Sequence, residues 1–199
     1  ILAPSGAPLL ALDLETGSTK WTFAPPEGVW DRAYANDGKR VFVGVKNGSL
    51  AALDVSNGKL LWQVDLGINV QVPPLVSEGI VYASTAFVGP ELKPDVDGRA
   101  KLFALDAKTG DELWAFESDN YILQTPTVNG DALYLGGNFY DPNPIDEGGH
   151  TRLYALDLAT GSPLWNYESE DGFPKRLYAT EETLVFVAYQ DFMNGVDIA

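Results

Sequence analysis

Cysteine is missing from the chain, and histidine occurs once, at His150. The absence of thiols excludes disulfides, thiolate metal sites, covalently attached haem and cysteine nucleophiles from these 199 residues. It leaves the redox compartment open, because a large all-β core needs no covalent staple. Basic side chains are scarce: 13 Lys and Arg stand against 28 Asp and Glu, for a formal charge of −15. Such a field repels phosphate backbones and anionic lipid heads, which argues against nucleic acid or bare membrane as partners. The acidity reads as a well-solvated surface or, more specifically, as a saline or calcium-rich extracellular setting. No apolar run approaches the roughly 20 residues of a transmembrane helix. No secretory leader is visible, since Ile1 opens directly into strand-like sequence. If the protein is exported, this is mature or internal sequence. Amphipathic helical stretches of ten or more residues are also lacking.

What is present is a repeat. Ala11 to Trp21 returns as Ala52 to Trp62, Ala104 to Trp114 and Ala155 to Trp165, each copy reading A-L-D-x-x-[TN]-G-x-x-x-W. A period of about 50 marks small supersecondary units, none able to bury its apolar face alone. Each unit carries strand signals punctuated by turns. In the second copy, Val41 to Val45 is followed by Asn47-Gly48, then Ser49 to Asp54, a turn at Val55 to Gly58, and Lys59 to Val64. The later units repeat this with Ile80 to Ala83, Lys101 to Asp106 and Glu112 to Phe116, and with Leu133 to Gly136, Arg152 to Asp157 and Pro163 to Tyr167. An earlier strand precedes each set, as at Pro74 to Val76 and Pro126 to Val128. Four short antiparallel strands per repeat predict an all-β fold, a β-propeller of four-stranded blades.

The repeated positions have physical roles to fill. Gly17, Gly58, Gly110 and Gly161 fall where the hairpin needs a left-handed residue. Asp13, Asp54, Asp106 and Asp157, four residues earlier, can hydrogen-bond into the loop and hold it closed. Alanine before Leu-Asp leaves room for a bulky neighbour. Trp21, Trp62, Trp114 and Trp165 supply one large ring per repeat, whose N–H needs a partner when buried. The rings either pack blade against blade or form core within their own blades.

This pattern resembles the tryptophan-docking motif of pyrroloquinoline-quinone-type propeller repeats. The match is complete in three copies, and the second carries Asn57 in place of Thr. The resemblance implies a propeller of seven or eight blades, in a family that includes quinone-dependent alcohol dehydrogenases, a non-enzymatic lipoprotein of outer-membrane barrel assembly and many surface or sensor domains. The enzymes generally bring an adjacent-cysteine pair, a calcium held by Glu and Asn, and a catalytic Asp. The cysteine pair is absent, and no other position matches residue by residue.

The expected organisation is one repeat array over residues 1–199: a partial blade at 1–24, blades at 25–66, 67–118 and 119–170, and a partial blade at 171–199. Ile1-Leu2-Ala3 resembles the end of a second strand, and Asn194 to Ala199 overlays Asn47 to Ala52. Second- and third-strand material at both ends predicts a segment of a longer propeller rather than a closed four-bladed ring. Unfinished blades invite dimeric closure or head-to-tail association.

Candidate chemistry lies in two insertions between second and third strands, Val88 to Gly98 and Tyr140 to Gly149. They read as solvated acidic loops or as a binding surface on one face. Asp95 and Asp97, before Gly98, are a fragment of a calcium loop without its bidentate glutamate. Asp141, Asn143, Asp146 and Glu147 form a denser oxygen cluster. These six residues are the candidate calcium ligands. His150, in the second insertion, reads as exposed. Trp30, near the start of an inner strand, either packs plainly or stacks on a planar ligand with Arg32 or Tyr34. No catalytic residue is assigned. The residues require no cofactor; calcium is a candidate, and pyrroloquinoline quinone enters only if the chain is a dehydrogenase segment. The first functional reading is a non-catalytic scaffold presenting loops to protein partners, in the cell envelope or outside the cell. The second is a segment of a quinone-dependent dehydrogenase, and the third a self-assembling structural subunit.

Overall fold

Turn chemistry divides the chain into short strands, and the computed structural model contains seventeen of them. It describes residues 8–86, 99–118, 122–139, 150–169, 173–180 and 182–189. Among these there is no helix.

The strands, in chain order, are β1 (Leu9–Leu12), β2 (Thr19–Phe23), β3 (Val29–Asn36), β4 (Arg40–Val45), β5 (Ser49–Asp54), β6 (Leu60–Asp65), β7 (Leu75–Ser77), β8 (Ile80–Ser84), β9 (Lys101–Asp106), β10 (Glu112–Glu117), β11 (Ile122–Leu123), β12 (Thr127–Asn129), β13 (Ala132–Phe139), β14 (His150–Asp157), β15 (Pro163–Ser169), β16 (Phe173–Ala179) and β17 (Leu184–Tyr189). They form antiparallel meanders: β3-β4-β5-β6, β7-β8-β9-β10, and β11 and β12 on β13, followed by β14 and β15. Two-stranded sheets, β1-β2 and β16-β17, flank the three complete ones. This is a β-propeller, with three complete blades and two partial ones.

The third complete sheet departs from the expected four strands. Its inner strand is broken into β11 and β12, which both pair with β13. The break falls at Gln124 to Pro126, where proline has no N–H for a ladder. Gln124 N instead donates to Gly136 O at 2.8 Å. Thr125 turns away to donate its hydroxyl to Pro73 O of the preceding blade, 3.0 Å off. A second departure concerns His150, which is the first residue of β14, opposite Phe139, rather than part of a loop.

The core lies between sheets, not within one. Each strand alternates its side chains across the two faces. Leu50 and Ala52 join Phe42 and Trp62 against Val81, Phe103 and Leu105 of the following sheet. Their neighbours Ala51 and Leu53 face the other way, toward Trp21. Tyr82, Leu102, Ala104 and Trp114 then meet Leu133, Leu135, Tyr154 and Leu156. Every middle strand is therefore apolar on both sides, and a blade removed from its neighbours would expose two greasy faces.

Candidate functional site

The Asp-to-Gly hairpin is built identically in all four copies. The Asp N–H donates to the carbonyl five residues on, and the Gly N–H donates back to the Asp carbonyl, all at 2.8–2.9 Å. Each glycine holds a positive φ, 69–81°, which a side chain would strain. The Asp carboxylate caps the turn. Asp13 Oδ1 accepts from the N–H groups of Glu15 and Thr16 and from the Thr16 hydroxyl. Asp106 repeats this with Lys108 and Thr109, and Asp157 with Thr160. In the variant copy the jobs are redistributed. Ser56 gives its N–H and hydroxyl to Asp54, while Asn57 Oδ1 accepts from Lys59 N. The threonines elsewhere fill that second role through their hydroxyl oxygens, as Thr109 does toward Asp111 N.

These donors favour the ionised carboxylates. The Thr16 N–H, the Lys20 side chain, the Thr16 hydroxyl and the Glu15 N–H together lower Asp13 from 3.8 to about 2. Asp54 is held down chiefly by the Ser56 hydroxyl, Asp106 by the Thr109 N–H and Asp157 by the Thr160 hydroxyl.

Each tryptophan reaches onto the hairpin of the following repeat. Trp21 Nε1 donates to Val55 O at 2.9 Å, Trp62 to Ala107 O at 3.2 Å and Trp114 to Leu158 O at 3.2 Å. The accepting carbonyl always belongs to the residue after the turn aspartate. The motif glycine below is the floor for the ring: a Cβ on Gly58 would stand 2.6 Å from Trp21, on Gly110 2.8 Å from Trp62, and on Gly161 2.4 Å from Trp114. The same rings also serve their own blades. Trp62, Trp114 and Trp165 lie directly across from Ala52, Ala104 and Ala155. Beyond those alanines they meet Phe42, Tyr82 and Tyr134 at centroid distances of 5.8, 5.8 and 5.9 Å. The indole is thus core of one sheet and donor to the next.

The fourth tryptophan is different. Trp21, Trp62 and Trp114 are each 9% exposed, whereas Trp165 is 44% exposed, and no acceptor for its N–H exists among the described residues. At the other end of the array, nothing lies within 4 Å of a Cβ placed on Gly17, and Leu14, which carries the equivalent carbonyl, is 101% exposed.

Sequence reasoning missed the bulge that precedes each tryptophan. In β2, β6, β10 and β15 the register skips one residue, namely Lys20, Leu61, Leu113 or Leu164. A bulge redirects the side chain it carries. Leu61, Leu113 and Leu164 are about half exposed on the outermost strands of successive blades. Only the common spacing of one residue before Trp could have signalled them, since their type changes to Lys in the first copy.

The inner strands carry the remaining candidates. Trp30 packs against the cluster of Ala33, Phe42, Leu66 and Val70, with Lys46 Nζ 5.1 Å from its ring centroid. Its indole is therefore engaged by the core and by a cation, while Arg32 and Tyr34 are exposed. Trp30 Nε1 and Gln71 Nε2 are buried without an acceptor among the described residues. The calcium candidates Asp95, Asp97, Asp141, Asn143, Asp146 and Glu147 all lie outside the described residues. Among the described residues no three His, Asp or Glu side chains gather as a metal site.

Comparison with known proteins places this geometry. The profile of a family described as outer membrane protein assembly factor BamB, built on quinone-type repeats, matches residues 6–169. BamB of Burkholderia pseudomallei is 29% identical over 85% of this chain, which corresponds to 39% of that protein. A polyvinylalcohol dehydrogenase of Sphingopyxis is 26% identical over 81% of this chain and 30% of its own length. The crystal structure of BamB from Moraxella catarrhalis superposes with a TM-score of 0.64 at 20% identity, over 94% of this chain and 57% of that one. The chain thus spans less than two thirds of each of these relatives.

Proposed function

We propose that this chain, which belongs to the quinone-type repeat family of the outer membrane protein assembly factor BamB, is part of a non-catalytic propeller scaffold that contacts other proteins in the cell envelope. One observation carries the reading: Leu61, Leu113 and Leu164 stand half exposed, at the same bulged position, on the rims of three successive blades. Apolar side chains repeated in register along a rigid edge suit a protein partner that runs across several blades. The name of the relatives supports an envelope setting. The acidic surface, at −15, favours protein contacts over anionic lipid.

The test is site-specific photocrosslinking in a bacterial envelope preparation. Benzoylphenylalanine at positions 61, 113 and 164 should yield adducts with the same outer-membrane assembly protein, and benzoylphenylalanine at exposed Asp31 on the inner strand should not. Equal labelling from rim and inner positions would remove the proposal.

The match to a polyvinylalcohol dehydrogenase favours a second reading, a dehydrogenase segment. Pyrroloquinoline quinone, where bound, supplies a two-electron oxidant. Trp30 is the aromatic side chain this chain could bring to such a planar group, and its present packing against the core and Lys46 does not make a free stacking platform. Under this reading, quinone with calcium quenches tryptophan fluorescence and supports dye reduction by alcohols; no change in either signal rejects it.

A further inference from the structure

The two ends of the described array are complementary halves of one blade and one junction. We infer that they join between copies, the β1-β2 hairpin of one chain completing the β16-β17 sheet of another. Three independent features support this. In every complete blade the second strand pairs with the third, as β4 with β5 and β8 with β9. Among the described residues β17 holds the second-strand position without a third, and β1 the third without a second. A composite sheet β16-β17-β1-β2 repeats the order of the others.

The aromatic rows agree. Phe42, Ala52 and Trp62 lie side by side across one sheet, as do Tyr82, Ala104 and Trp114 in the next. By strand register Phe186 is the corresponding aromatic of β17, facing Leu177 where Tyr82 faces Leu75. Ala11 and Trp21 lie opposite each other on β1 and β2. The composite blade places Phe186 beside Ala11 and Trp21, which restores the row.

The junction agrees as well. Trp165 has a ring without a floor and Gly17 a floor without a ring, while the Leu14 carbonyl is the acceptor that the other copies supply from Val55, Ala107 and Leu158. The side chains that this contact would cover are now uncovered. Leu10, Leu12 and Val185 are exposed. Their counterparts Ala51, Leu53, Phe103, Leu105, Val81 and Leu133 are buried. Length fits too: the chain matches 57% of one Moraxella BamB chain, so two copies supply about the strand complement of one ring. Each copy carries a charge of −15, so association strengthens as salt screens the repulsion.

Sedimentation equilibrium tests the inference, over about 1–100 µM. The weight-average mass should rise from 21.5 kDa toward at least twice that value, and more steeply in higher salt. Leu12→Lys and Val185→Lys alter side chains that are exposed in the single chain, so each variant folds, shown by an unchanged far-UV spectrum, yet stays at the single-chain mass. Mixing the two variants leaves one intact junction and gives a species that stops at the dimer. Leu61→Lys, on the rim, associates like the parent chain. A parent chain that holds the single-chain mass throughout overturns the inference, whether its ends stay open or close on each other. So does association unchanged by Leu12→Lys and Val185→Lys, or a mixture that remains monomeric.

Discussion

Gly161 and Gly17 share a turn and a positive φ, 70° and 69°, but only the former lies under an indole. Alanine at either position meets the left-handed penalty of about 1–2 kcal/mol. At Gly161 the new methyl also collides with Trp114, adding about 1–3 kcal/mol of overpacking. Urea unfolding should therefore show Gly161→Ala to be clearly less stable than Gly17→Ala, with equal slopes; equal midpoints would mean that the ring contact is slack. The turn aspartates have a different signature. Their folded carboxyls titrate below the ordinary value, so the folded state favours the ionised form. That contribution is fully present above about pH 4 and is lost as pH falls through the folded values, for Asp13 between 3.8 and about 2. Melting temperature should decline over that interval, and Asp106→Asn should both lower the plateau and flatten the decline. A variant with an unaltered profile would show that the cap is dispensable.

Trp114 belongs to β10 yet donates to Leu158, just past β14, so its loss is felt by two sheets. Trp114→Ala should cost about 3–5 kcal/mol, and hydrogen exchange should quicken in β9, β13 and β14 while β4 and β5 keep their protection. Protection lost evenly along the chain would show instead that the blades unfold as one unit. Much of this level was legible from residue patterns. Turn residues bound the strands, so β5 and β9 begin and end where Ser49 to Asp54 and Lys101 to Asp106 predict. The break between β11 and β12 was less legible, because it depends on Thr125 reaching across to Pro73 of another blade. Nor could alternation reveal the bulges, since a skipped residue leaves no mark when its type varies from Lys20 to Leu61. The double duty of the indoles was only half visible. Phe42, Tyr82 and Tyr134 recur at matching strand positions, but the column they form with each Trp appears only when registers are known.

Across the whole chain, 28 acidic groups face 13 basic ones, and the few ion pairs are largely at the surface, such as Lys20 with Asp13 and Lys101 with Glu117. Exposed pairs contribute little, so the excess negative charge acts mainly as self-repulsion. The melting temperature should rise between about 0.02 and 0.3 M sodium chloride, where the screening length falls to several ångströms. A flat or falling trend would mean that the acidic groups are held by bound cations rather than merely solvated. The receiving atom at each junction has an effect of another kind. It is a main-chain oxygen, carried in turn by Val55, Ala107 and Leu158, and substitution there cannot delete it. A gene encoding such a unit can be copied in tandem and its copies left to diverge, and the seams between them remain serviceable without any compensating mutation.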